Sequence, residues 1–243
     1  MSRVLLLLFA GLKFSKFGLT IVSMAASLGI YALVYGWRYA AGFVGLIFVH
    51  EMGHYLAARQ RGLPVGAPTF IPFMGAWIQL KEMPHDAETE AYVGLAGPLL
   101  GTVGAIACWW IAREGGPTWL LAVAYSGFFL NLFNMIPLSP LDGGRITAVL
   151  SPRIWLLGVP VLALMMWYRF SMILVLIAIL AAPQVMQALR YRSDSPEAQT
   201  YYAVSARVRW EYGFYYVVLL VFLAMMTHDV DQQLRGLAGA ATT

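Results

Sequence analysis

The segment Val49-His50-Glu51-Met52-Gly53-His54-Tyr55 contains the spacing H-E-x-x-H. On a helix, histidines at i and i+4 lie one turn apart on the same face. Both imidazoles can then reach a single metal ion, and zinc suits this donor pair. Glu51 is displaced about 100° around the helix from His50, close enough to handle a water at that ion. With four histidines and seven glutamates in 243 residues, chance alone gives this pattern in about two such chains per thousand. The competing reading is a structural polar cluster. It is disfavoured because three ionisable residues within five positions of an apolar segment are costly without a shared partner.

Two histidines do not complete a catalytic zinc site, which usually has three protein ligands and a water. The acidic and histidine candidates for the third are His85, Asp86, Glu88, Glu90, Glu114, Asp142, His228, Asp229 and Asp231. The single cysteine, Cys108, lies in apolar surroundings; it rules out an internal disulfide or a thiolate cluster and reads as packing. Choosing among the candidates requires the elements that would position them.

Sixty per cent of the residues are apolar and 12% are charged, with a mean hydropathy of +0.69. Soluble domains are about 45–50% apolar and about 25% charged. A soluble or disordered chain is therefore excluded, and an all-α polytopic membrane protein is expected. The apolar stretches lack the period-2 alternation of barrel strands. The net charge of +4 reflects basic loops and gives no reason to expect nucleic-acid binding.

Seven stretches are candidate spans: 19–37, 40–58, 91–112, 118–136, 154–168, 171–189 and 208–227. The last pair before the final span could instead be one bent helix, so six or seven crossings are expected. Residues 1–18 read as an interfacial segment, because the apolar run from Val4 to Leu12 is too short to span and has no cleavage site after it. Residues 19–190 read as the core. Residues 191–243 read as a cytoplasmic linker, a last helix and a tail. Between the second and third spans, 64–81 is rich in Pro, Gly and β-formers and is expected to be β-like at the cytoplasmic membrane surface. Glu82 to Glu90 reads as a solvated turn into the third span. Gly97, Gly101 and Gly104 share one face of that span, as in small-xxx-small helix packing.

With the N-terminus in the cytoplasm, seven spans place twelve Lys and Arg residues on the cytoplasmic side and four on the other. This is the positive-inside pattern. Merging 154–168 with 171–189 would erase most of that bias. In this orientation His50 and His54 lie within the bilayer near its cytoplasmic end. Glu114, His228, Asp229 and Asp231 fall on the far side, and His85, Asp86, Glu88 and Glu90 fall in a polar loop. Asp142 follows the fourth span on the correct side, within Asn134-Met-Ile-Pro-Leu-Ser-Pro-Leu-Asp-Gly-Gly-Arg145. Pro137 and Pro140 should break the helix there, and Gly143-Gly144 should free the backbone to turn. Irregular backbone at membrane depth is tolerated only against protein or a water-filled cavity.

Taken together, His50-Glu51-x-x-His54 and Asn134-x-x-Pro137-x-x-x-Leu141-Asp142-Gly143 resemble the paired signature of the site-2 protease family of intramembrane zinc metalloproteases. Gly97-Pro98 and Pro72-Phe73-x-Gly75 also resemble family elements, and the likeness covers about residues 40–150. It implies zinc bound by His50, His54 and Asp142, with Glu51 as general base and Asn134 as a polar contact to the substrate carbonyl or oxyanion. It further implies membrane-anchored protein substrates and a multi-pass protein of a bacterial plasma membrane. No connecting segment offers room for the PDZ or CBS modules of better-known branches. Two other classes compete: a catalytically silent binding protein of the same fold, and a zinc transporter. The full set of ligands and base speaks against the first. The lack of ionisable residues in the centres of several spans speaks against the second.

Overall fold

The computed structural model describes residues 18–66, 68–71, 75–77 and 84–240. The expected interfacial segment, apart from Gly18, lies outside the described residues, as do Pro72 and Phe73. All seven apolar stretches fold as helices. They form α1 (Gly18–Tyr35), α2 (Trp37–Gln60), α3 (Ala87–Arg113), α4 (Trp119–Asn134), α6 (Gly158–Tyr168), α7 (Met172–Arg190) and α9 (Ala206–Ala240). Two shorter helices, α5 (Asp142–Ala148) and α8 (Pro196–Thr200), join them, and a 3₁₀ turn at Pro152–Leu157 leads into α6.

Four of these helices, α1, α3, α7 and α9, are long and apolar enough to cross a membrane. Helix α4 and the Pro152–Tyr168 stretch are apolar but shorter. Helix α2 has 24 residues, but Arg38, His50, Glu51, His54 and Arg59 dilute its hydropathy. Large apolar side chains face outward, including Leu33, Trp167 and Phe214. An exposed apolar surface of this extent belongs in lipid. Between α6 and α7 the backbone is extended at Arg169 and Ser171, and Ser171 caps α7 by accepting from the Ile173 N–H. The 154–189 stretch is therefore two helices.

Within 64–81, strands β1 (Thr69–Ile71) and β2 (Gly75–Trp77) form an antiparallel pair with Phe70 opposite Ala76. Helix α1 closes the other edge of β1. The Phe70 N–H donates to Ser23 Oγ at 3.0 Å, and Thr20 Oγ1 donates to the Pro68 carbonyl at 2.5 Å. The hydroxyls of α1 thus satisfy strand groups that would otherwise be orphaned in an apolar setting.

Two expectations are corrected here. Glu88 and Glu90 are not in a solvated turn; they lie in the first turn of α3. Asp86 caps that helix by accepting from the Thr89 N–H at 2.7 Å, and acidic residues suit a helix N-terminus. Asp142 likewise is not in an irregular turn but is the first residue of α5. Gly143 and Gly144 are helical, and what they provide is close approach. A Cβ at Gly143 would strike the carbonyls of Met135 and Ile136, and one at Gly144 would meet the backbone of Leu138 and Ser139. Ile146, Ala148 and Val149 then anchor α5 in a core shared with Phe128 of α4 and Leu223 of α9. The linker before α9 is stitched to α3. The Ala87 N–H donates to the Tyr201 carbonyl, and the Tyr201 hydroxyl donates to Glu90 Oε2 at 2.6 Å.

Candidate metal centre

Helix α2 buries His50, Glu51 and His54 on its inward side. Helix α5 brings Asp142 to them across 88 residues of chain. His50 Nε2 lies 3.1 Å from Asp142 Oδ2, and His54 Nε2 lies 3.2 Å from Asp142 Oδ1. The two Nε2 atoms are 3.2 Å apart. One donor atom from each of the three residues falls within 4.8 Å of the others, and all three residues are buried.

The proton positions follow from the outer contacts. His50 Nδ1–H donates to Asn131 Oδ1 at 2.8 Å, and His54 Nδ1–H donates to the Val93 carbonyl at 2.8 Å. A carbonyl oxygen only accepts, so both Nδ1 atoms carry a proton. In neutral rings both Nε2 lone pairs then face the same point from 3.2 Å apart, beside a carboxylate. Such an array is repulsive unless a cation stands between its members. Two imidazole nitrogens and one carboxylate form a set known for catalytic zinc, with a fourth position left for water or substrate. Outer oxygen acceptors on both Nδ1 atoms are the usual support of metal-bound histidines.

The glycines of α3 make room for this arrangement. A Cβ at Gly97 would collide with the His54 ring, and one at Gly101 would collide with the Asn131 amide. A Cβ at Gly104 would meet Leu46 and Val49 of α2. On α2 itself, a Cβ at Gly53 would overlap the Ala96 carbonyl. The sequence reading of the stripe as helix packing therefore covers only part of its role. At Gly97 and Gly101 the missing side chain is the space that a ligand and its supporting amide occupy.

The other sequence candidates are distributed as follows. Glu51 is buried beside the triad and makes no hydrogen bond among the described residues. Asn134 is half-buried; its Nδ2 donates to the Leu130 carbonyl of its own helix at 3.1 Å, and among the described residues no hydrogen bond joins it to the triad. The asparagine that reaches the site is Asn131, one turn earlier on α4 and 1% exposed. Sequence reasoning missed it, although a buried amide in an apolar helix needs a partner.

Comparison with known proteins agrees with this geometry. Residues 38–118 match the family model of peptidase family M50. Over that third of its length the chain is similar to peptidase family M50. The matched M50 segment contains His50, Glu51, His54 and the α3 glycines but ends before Asp142. Among the relatives, zinc metalloprotease MJ0392 of Methanocaldococcus jannaschii is 30% identical over 118 residues, covering 46% of this chain and 33% of that protein. Rip3 of Mycobacterium tuberculosis is 31% identical over 135 residues, covering 51% of this chain and 34% of Rip3. EGY1 of Arabidopsis thaliana is 37% identical over 67 residues, covering 26% of this chain and 12% of EGY1. The words zinc metalloprotease stand in all three names. The chain spans about a third or less of the length of these relatives.

Proposed function

We propose that this chain is an intramembrane zinc endopeptidase that hydrolyses peptide bonds of membrane-anchored protein substrates. The observation that carries this reading is the convergence of two Nε2 lone pairs and the Asp142 carboxylate, with Glu51 buried alongside. His50, His54 and Asp142 would hold the metal. Zinc bound there would lower the pKa of a water toward about 7 and polarise the scissile carbonyl. Glu51 is the general base: its carboxylate takes the proton of the attacking water and passes it to the leaving amide nitrogen. Asn134 gives one N–H to the Leu130 carbonyl, and its second N–H would steady the carbonyl oxygen. Water must reach this depth, so the polar side chains of the cytoplasmic half line its route.

His50 and His54 lie ten and six residues from the Gln60 end of α2, or about 15 and 9 Å, which keeps them in the cytoplasmic half of a hydrocarbon core about 30 Å thick. The substrate helix must unwind to present a peptide bond there, and an extended segment can pair with a sheet edge. Because α1 already occupies the outer edge of β1, a substrate strand in this reading would add to β2. The twelve-to-four charge split supports seven crossings and a cytoplasmic N-terminus, and the family resemblance implies a bacterial plasma membrane as the setting. A single cysteine replacing Arg192, in a Cys108→Ser background, is expected to label only from the cytoplasmic side. Labelling from the opposite side would invert the orientation.

The direct test is co-reconstitution of the purified chain with a single-span model substrate in liposomes. Zinc-dependent cleavage is expected, abolished by a chelator and restored by zinc. The cut should map by mass spectrometry within the substrate's hydrophobic span. A metal-loaded chain that binds the substrate without cutting it would favour the silent binding protein instead. Zinc flux across the liposome wall without proteolysis would favour a transporter.

A further inference from the structure

The two histidines are supported in chemically different ways. His54 Nδ1–H rests on the Val93 carbonyl, a main-chain atom of α3. His50 Nδ1–H rests on a side chain, Asn131 Oδ1 of α4. That amide is itself pinned, because its Nδ2 donates to the Gly127 carbonyl at 2.8 Å. The Gly127 bond fixes which end of the amide faces His50. The amide also fills the space left open at Gly101, where a Cβ would fall directly on Oδ1 and Nδ2. Three helices thus meet at one side chain: α2 supplies the ring, α4 the acceptor and α3 the gap.

We propose that Asn131, kept in place by Gly101, is the positioning residue of the metal centre, setting the ring orientation and tautomer of His50. This rests on the zinc reading given above. An imidazole has one proton and two nitrogens when neutral, and it ligates through the nitrogen without the proton. With the Asn131 carbonyl on Nδ1, the proton stays there and the Nε2 lone pair points at Asp142 and His54. Without that acceptor, Nδ1–H would be buried and unpaired. The ring would relieve this by rotating or by moving the proton to Nε2, and either change removes a ligand. His54 has no comparable dependence, since the Val93 carbonyl persists whatever side chain is present.

The test measures zinc dissociation constants by chelator competition, with the melting temperature of the metal-free protein alongside. Asn131→Leu removes the acceptor at similar volume. Gly101→Ala leaves Asn131 in the sequence but pushes its amide out of place, and it lies on another helix. Both are expected to weaken zinc binding about 10–100-fold, the range found for lost outer partners of metal-bound histidines. Asn131→Asp keeps an acceptor on Nδ1 but gives up the bond to Gly127, and it is expected to recover part of that loss. In both weakened variants kcat at saturating zinc should fall while KM changes little, because Asn131, 1% exposed, offers a substrate almost no surface.

Wild-type zinc affinity in both Asn131→Leu and Gly101→Ala would overturn the proposal. So would an Asn131→Asp variant as weak as Asn131→Leu, which would point to packing. If Asn131→Leu does not fold, Gly101→Ala and Asn131→Asp still decide the matter. Absence of zinc binding by the wild-type chain would instead sink the zinc reading beneath the proposal, so the two failures are separable.

Discussion

Glu51→Gln is expected to keep its zinc and lose its catalysis. Glutamine preserves the shape and polarity of the side chain but cannot accept a proton at neutral pH. Glu51 does not belong to the group of donors that converge; those are His50, His54 and Asp142. The metal should therefore remain at one per chain. Cleavage of a membrane-anchored substrate should fall by at least the roughly 10²–10⁴-fold credited to general base catalysis. KM should change little if Glu51 acts on the water and not on the peptide. A Glu51→Gln variant with near wild-type turnover would refute the hydrolytic mechanism and make a structural or transport role for the metal the better account.

Asp142→Ala should fail in a different way. The two imidazoles remain, but the carboxylate whose oxygens lie 3.1 and 3.2 Å from their Nε2 atoms is gone. Two neutral nitrogens 3.2 Å apart hold zinc far less well than two nitrogens and an anion. The loss should exceed the 10–100-fold or so typical of outer-contact changes, and turnover should vanish with the metal. The alanine fits where Asp142 stood, since α5 is anchored by Ile146, Ala148 and Val149. A folded, metal-poor protein is the expected product. His50→Ala and His54→Ala should behave alike. Preserved helicity in all three would separate ligand loss from unfolding.

The contrast between these variants reflects which parts of the site can be read along the chain. The histidines and Glu51 are legible because a helix of fixed pitch converts spacing into geometry. Asp142 was within reach because the topology expected from the charge pattern leaves few acids on the correct side at the correct depth. The helices were legible from hydropathy, down to the break at Arg169–Ser171. Asn131 was not, since its contact with His50 spans 81 residues and depends on how α4 is rotated against α2. Hydropathy carries no information about that rotation. Asn134, which the family resemblance singles out, sits one turn away and bonds within its own helix. The helical state of α5 was obscured by Gly143 and Gly144, whose poor helix preference yields to burial of Ile146 and Val149 in the common core. The stripe of α3 looked like packing because a glycine in the sequence does not say what lies opposite it. Gly97 faces an imidazole and Gly101 faces an amide.

Metal analysis of the purified wild type, Glu51→Gln and Asp142→Ala side by side reads whether His50, His54 and Asp142 together hold one zinc ion. Wild type and Glu51→Gln should each carry one zinc per chain, and Asp142→Ala should carry little or none after dialysis against a weak chelator. Full zinc retention in Asp142→Ala would contradict the account and move the third ligand elsewhere.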